Sequence, residues 1–148
     1  MGDKADWKRD LILAALKARR FAYAPYSHYR VGAAILSEDD RICTGCNVEN
    51  ASYGATNCAE RTALFKAVSV GIRSFKAIAI TGGPEQENAL TSYCSPCGIC
   101  RQALREFCDP EQFTVIMARS PEDYREMKLA ALLPESFGPD FLQPHAVE

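Results

Sequence analysis

Two short stretches carry residue types that can do metal-assisted chemistry. Cys58-Ala59-Glu60-Arg61 offers one thiol and, two residues later, a carboxylic acid. Ser95-Pro96-Cys97-Gly98-Ile99-Cys100 offers two more thiols. Three thiolates can hold a zinc ion and leave its fourth tetrahedral position open to water. Zinc with an open position makes a nucleophile of that water near neutral pH. Glu60 is placed to move the protons. The pattern points to a hydrolytic centre with Cys58, Cys97 and Cys100 as ligands, one zinc per subunit, and Glu60 as the acid–base group.

Each residue also has a plainer reading. Cys97 and Cys100 alone match a thioredoxin-like redox pair at a helix start, but such a pair calls for neither Cys58 nor Glu60. Asn57-x-x-Glu60 has the spacing of a helix capping box, which alone outweighs catalysis for Glu60; beside three candidate ligands the balance reverses. Arg61 is either a solvated helix charge or a cation that offsets the negative charge of the thiolates. His28 reads as an exposed loop residue and His145 lies in the tail. Tyr26, Tyr29 and Tyr53 read as packing residues, although an aromatic near a planar substrate stacks on it.

The elements that must position these residues fit one domain, residues 1–148, with one sizeable core. A formal net charge of −2 gives no basic footprint for a nucleic-acid polymer. No apolar run approaches a membrane span, and the polar start is unlike an export signal, so the expected location is cytoplasmic. Seven cysteines are an odd count for a disulfide framework and favour metal binding or free thiols. Cys43, Cys46 and Cys108 read as small buried apolar residues.

Trp7, Leu11, Ala15, Ala18 and Ala22 recur at helical spacing and predict a first amphipathic helix, ended near Pro25. Residues 31–36 and 42–47 predict an antiparallel pair around Glu38-Asp39-Asp40. The small Gly32, Ala33 and Ala34 suggest that something packs closely on the first of these strands. Asn47 and Glu49 share one side of an extended segment. A second helix is expected over 57–70 and a central strand over 75–81, broken by Gly82-Gly83-Pro84. A mobile polar loop over 85–91 follows. A third helix is expected from about 97 to 107, capped by Ser95 with Pro96 at its first position. Strands over 113–118 and 123–127 and a helical turn over 129–133 complete the chain. The order predicts an α/β protein, a three-layer α/β/α sandwich with a mixed five-stranded sheet. Both cysteine motifs fall at helix N-termini, where the dipole and the open N–H groups favour thiolate.

Ala24-Pro25-Tyr26-Ser27, Val31-Gly32-Ala33-Ala34, Cys46-Asn47-Val48-Glu49-Asn50-Ala51, Cys58-Ala59-Glu60-Arg61-Thr62-Ala63, Ser95-Pro96-Cys97-Gly98-Ile99-Cys100-Arg101-Gln102 and Leu132-Leu133-Pro134-x-x-Phe137 together resemble the small homotetrameric cytidine deaminases. The resemblance spans nearly the whole chain with the motifs in order. It implies a zinc deaminase fold and mechanism, with Cys58, Cys97 and Cys100 on zinc and Glu60 shuttling protons between water, ring N3 and the departing amino group. It implies Asn47 and Glu49 as partners of the ribose 3′-hydroxyl. Ala59 N–H and the backbone near Ser95 then fix the ring, and Ala51, Tyr53 and Phe137 contact nucleoside in a neighbouring subunit. Tyr29 stands where the family commonly stacks a Phe on the pyrimidine. The substrate implied is a free nucleoside, since no Gly-rich phosphate cradle accompanies the motif. A blasticidin S-type deaminase shares the zinc motifs but is not expected to keep Asn47-Val48-Glu49-Asn50. A structural zinc module leaves Glu60 unexplained and calls for a fourth protein ligand.

Overall fold

A computed structural model describes residues 6–142. The polar start (residues 1–5) and His145 lie outside that range. The elements are α1 (Trp7–Arg19), β1 (Tyr29–Ser37), β2 (Ile42–Cys46), a 3-10 turn (Tyr53–Ala55), α2 (Ala59–Ser69), β3 (Phe75–Pro84), α3 (Gly98–Arg105), β4 (Thr114–Ser120), β5 (Asp123–Lys128), α4 (Leu129–Leu132) and α5 (Pro139–Leu142). The sheet has the order β2-β1-β3-β4-β5; β3 and β4 are parallel and the other pairs antiparallel. This is the expected mixed five-stranded sheet between helical layers.

Strand alternation sorts the core into two faces. Ala34, Leu36, Ala77, Ala79, Ile116 and Ala118 meet Leu11, Ile12 and Ala15 of α1. Ala33, Ile35, Ile78, Ile80, Val115 and Met117 meet Ala63, Leu64 and Ala67 of α2, with Leu104 and Leu129. Fully buried Leu11 and Ile12 each stabilise the fold by about 1.5–3 kcal/mol through loss of apolar surface to water. The α1 face of the sheet is alanine-rich, so the helix backbone approaches closely. At Gly32 an added Cβ would fall 2.1 Å from the Ala15 carbonyl oxygen and 2.5 Å from the Arg19 nitrogen, which accounts for the small residues at the start of β1.

Several boundaries differ from the sequence expectation. The first helix stops at Arg19, before Ala22, because the Tyr23 N–H leaves the helix to bond the Asn47 carbonyl at 3.0 Å. β3 does not break at Gly82 but runs to Pro84, pairing with Tyr29 and Arg30 across the sheet. Arg19 fixes this end: its Nε donates to the Arg30 carbonyl at 3.0 Å, and its Nη2 to the Gly83 and Pro84 carbonyls at 2.9 and 2.8 Å. The 85–91 segment is a mostly exposed polar loop, as expected, but it is anchored at points along its length. Leu90 is buried, and the Glu85 N–H donates to the His28 carbonyl at 2.8 Å. His28 itself is exposed and pairs with Glu85, in keeping with its loop reading. No helix among the described residues is long and apolar enough to cross a membrane.

Gly32→Ala should lower the unfolding free energy by at least about 1–3 kcal/mol, the usual range for overpacking a filled core. Gly54→Ala, with open space around it, is the control and should change stability by less than about 0.5 kcal/mol. Equal urea midpoints for the two variants would mean that α1 does not rest on Gly32.

Candidate active site

α2 and α3 begin beside one another, and each begins on a cysteine. Cys58 is the N-cap of α2, with extended backbone angles. Cys97 is the N-cap of α3, and its Sγ accepts from the Cys100 N–H at 3.4 Å. The expected cap at Ser95 is therefore corrected to Cys97; the Ser95 hydroxyl instead accepts from Arg101 Nη2 at 2.9 Å. The expected start of α2 at Asn57 moves in the same way. Asn57 pairs its backbone with Val48 and gives its side-chain amide to Thr62 Oγ1 at 3.0 Å. With Cys58 as N-cap, Glu60 stands at the second helical position, and the capping-box geometry is absent.

The sulfurs of Cys58, Cys97 and Cys100 lie within 4.8 Å of one another. Cys58 and Cys97 are 3.7 Å apart. Arg61 Nη2 donates to Cys58 Sγ at 3.5 Å. For the protein alone, hydrogen bonding from Cys100, then from Arg61 and Cys97, lowers the Cys58 thiol to about 5, while sharing with Cys58 raises Cys100. The opposite shifts describe one thiol–thiolate pair rather than two independent groups. Three soft donors of this kind, gathered at two positive helix ends, fit a zinc ion. Among the described residues no fourth His, Cys, Asp or Glu donor joins them, so one position is left for an exchangeable ligand.

Glu60 is 4% exposed. Burial pushes its carboxyl up to about 7, and the negative charge of Cys58 pushes the same way. A carboxyl that gains and loses its proton near neutrality suits a proton shuttle. Ala59, before it, is fully buried at the first position of α2.

Cys94, which sequence reasoning left without a role, borders the same site. At Gly82 a Cβ would lie 2.8 Å from Cys94 Sγ and 3.2 Å from Tyr29 Cε1, so only glycine lets both pack against β3. Burial raises the Cys94 thiol to about 12, with Glu60 and Cys58 adding to the shift. It stays a neutral wall. Cys94, Cys97 and Cys100 are spaced by three; that repeat was the signal available, but only the last two enter the cluster. The other thiols, Cys43, Cys46 and Cys108, are half-buried rather than fully buried.

Asn47 and Glu49 do share one side, and both grip residues 26–31. Asn47 is buried; its Oδ1 accepts from the Val31 N–H at 2.9 Å and its Nδ2 donates to the Tyr29 carbonyl at 2.8 Å. The Glu49 carboxylate accepts from the Tyr26 and Ser27 N–H groups at 3.0 and 3.1 Å and from the Ser27 hydroxyl. These bonds hold its carboxyl below the usual range. Glu49, Tyr26, Ser27, Tyr53 and Thr56 line an open cavity of about 330 Å³. Ala51 is exposed. The Phe137 ring packs on Phe141 at 5.4 Å and its carbonyl accepts from Gln102.

A sulfur-rich metal centre with an open position, a buried acid and a layered α/β scaffold define a zinc hydrolase of the nucleobase-deaminase class. The family description "Cytidine and deoxycytidylate deaminase zinc-binding region" matches residues 5–117. The chain is 48% identical over 132 residues to the cytidine deaminase of Sporosarcina psychrophila, covering 89% of this chain and 92% of that protein. It is 41% identical to the cytidine deaminase of Mycobacterium tuberculosis over 86% of this chain and 87% of that one. The crystal structure of cytidine deaminase from Burkholderia pseudomallei superposes with a TM-score of 0.77 at 45% identity, covering 86% of this chain and 97% of that chain. The chain belongs to the cytidine and deoxycytidylate deaminase zinc-binding family.

Arg61→Ala should keep the fold but surrender zinc to a chelator sooner, with a loss of about 10–100-fold in metal affinity or activity, the scale of a lost group hydrogen-bonded to a ligand. Zinc release and turnover both equal to those of the parent would return Arg61 to a solvated helix charge.

Proposed function

We propose that the protein hydrolytically deaminates cytidine and deoxycytidine to uridine and deoxyuridine with release of ammonia, in pyrimidine salvage. The observation that carries this is Glu60: a buried carboxyl beside three thiol sulfurs that lack a fourth protein donor among the described residues. A structural zinc module accounts for neither. When bound by Cys58, Cys97 and Cys100, zinc supplies the Lewis acidity that makes water nucleophilic near neutral pH.

The chain's own residues do the rest. Glu60 takes a proton from the attacking water and delivers it to ring N3. It then takes the remaining proton from the hydroxyl now on C4 and passes it to the amino group as that group leaves. Arg61 limits the negative charge around the sulfurs. Tyr29 stacks on the pyrimidine, while Ala59 N–H and the backbone near Ser95 orient the ring. Asn47 keeps one amide N–H beyond the bond it gives to Tyr29, and Glu49 keeps acceptor capacity beyond the three bonds it takes from Tyr26 and Ser27. Both can meet the ribose 3′-hydroxyl, Glu49 from the lining of the cavity.

The assembly we infer is a cytoplasmic homotetramer in which Ala51, Tyr53 and Phe137 reach nucleoside in a neighbouring subunit. The support is their exposure: Tyr53 is 75% and Phe137 54% accessible in the single chain. Aromatic surface of this kind is commonly covered by a partner.

Loss of cytosine absorbance with cytidine tests the reaction. Glu60→Gln should retain zinc and fold but lose at least about 10²–10⁴-fold in turnover, since glutamine cannot carry the proton. Near-parental turnover would end the proton-shuttle assignment. Glu49→Gln tests the sugar contact more cleanly than a change at Asn47, which also holds the backbone. It should lower kcat/KM for cytidine far more than for 3′-deoxycytidine, because a site built for a hydroxyl discriminates against its absence. Equal losses on both substrates would make Glu49 a loop clamp only.

A further inference from the structure

α3 carries two of the metal thiols at its start and grips the C-terminal segment with its later turns. Arg101 bridges both: Nε donates to the Pro96 carbonyl at 2.8 Å, Nη2 to Ser95 Oγ at 2.9 Å and Nη1 to the Leu132 carbonyl at 2.7 Å. Gln102 Nε2 donates to the Phe137 carbonyl at 2.9 Å. Arg105, one turn on, donates from Nε to Ser136 Oγ at 2.9 Å and from Nη2 to Asp140 Oδ1 at 2.9 Å. It is 9% exposed, and buried arginines are rare without a structural or functional partner.

Gly138 lies flat on the Arg105 guanidinium. A Cβ there would come within 2.4 Å of both Cζ and Nη1. The residues on either side of Phe137 are thus folded around one cation, while its ring stays exposed against Phe141. α5, four residues long, is far too short to be stable alone. Without the brace, Phe137 would have to be ordered when substrate binds, and that ordering would weaken binding. The fork geometry of arginine is what satisfies Ser136 and Asp140 together; a lysine cannot span both.

We propose that Arg105 is a positioning residue for substrate binding: it braces residues 136–140 on α3 so that Phe137 is presented in a fixed place. This rests on the reading above that Phe137 contacts nucleoside in a neighbouring subunit. The brace acts on binding rather than on the proton transfers.

The test is the steady-state kinetics of cytidine deamination by the zinc-loaded oligomer carrying Arg105→Lys, Gly138→Ala or Phe137→Ala, and by the two doubles that add Phe137→Ala to each of the others. Gly138→Ala removes no polar group and so stands in should Arg105→Lys fail to fold. We expect each single change to raise KM about fivefold or more, the low end of what one lost stack on a base costs. We expect kcat within about twofold and zinc content unchanged, the pattern of lost uniform binding. In the Phe137→Ala background neither partner change should add to KM, since all act through one ring. If Phe137→Ala raises KM but Arg105→Lys and Gly138→Ala do not, the brace is overturned alone. If Phe137→Ala leaves KM unchanged, the reading of Phe137 and the brace fail together. Full additivity in the doubles, or a fall in kcat with loss of zinc, would place the action of Arg105 elsewhere and overturn the proposal.

Discussion

The structure depends on holding three cysteine sulfurs within 4.8 Å of one another. Thiolates at that spacing repel, and the fold answers with fixed positive charge. Two helices begin on cysteines of the cluster and bring their positive ends to it, the Cys100 N–H donates to Cys97 Sγ, and the Arg61 guanidinium bonds Cys58 directly. The Cys100 thiol shares its proton with the Cys58 thiolate. Burial lifts the Glu60 carboxyl toward neutrality, and the negative charge of Cys58 adds to the shift. The thiol cluster and the acid are therefore electrostatically linked, although burial of Glu60 is the larger cause of its shift.

Around this centre the loops are held by polar clamps rather than by hydrophobic burial. Asn47 and Glu49 fasten residues 26–31. Arg19 fastens the ends of β1 and β3. Tyr93, on the segment that leads to Cys97, donates its hydroxyl to Asp123 at 2.6 Å and lies under the Arg119 guanidinium. Arg101 and Arg105 fasten the C-terminal segment to α3. Hydrogen bonds of this kind add modest net stability, but they are directional. They fix where a loop's side chains sit, which apolar contact alone does not do. A site assembled from distant loops needs that property more than it needs additional core.

How much was legible beforehand differs from element to element. The layered fold and the five strands followed from periodicity, because each element buries one face or both and its sequence must carry the pattern. Strand ends were less legible. β3 continues through Gly82 and Gly83 because Tyr29, Arg30 and the Arg19 clamp pair with it there, and glycine in a strand marks close approach as readily as a break. The helix starts shifted for a related reason. Ser95 and Asn57 have good capping side chains, but these are taken up by Arg101 and Thr62, and the cysteines take the cap positions.

The sequence by itself determined the residue types and the motif order: three thiols, one acid and one arginine at spacings that fit zinc chemistry. It also determined the apolar periods that make an α/β sheet. The sequence also picked out Cys58, Cys97 and Cys100 as the set; only the tertiary structure showed that Cys94, spaced from Cys97 as Cys97 is from Cys100, stays outside their cluster. It alone removed Glu60 from the capping role, by moving the N-cap to Cys58. It alone buried Arg105 and bonded it to Ser136 and Asp140. Local spacing constrains neighbours along one element, whereas ligand sets, burial and clamps are set where separate elements pack together, and those distances are fixed by the whole core.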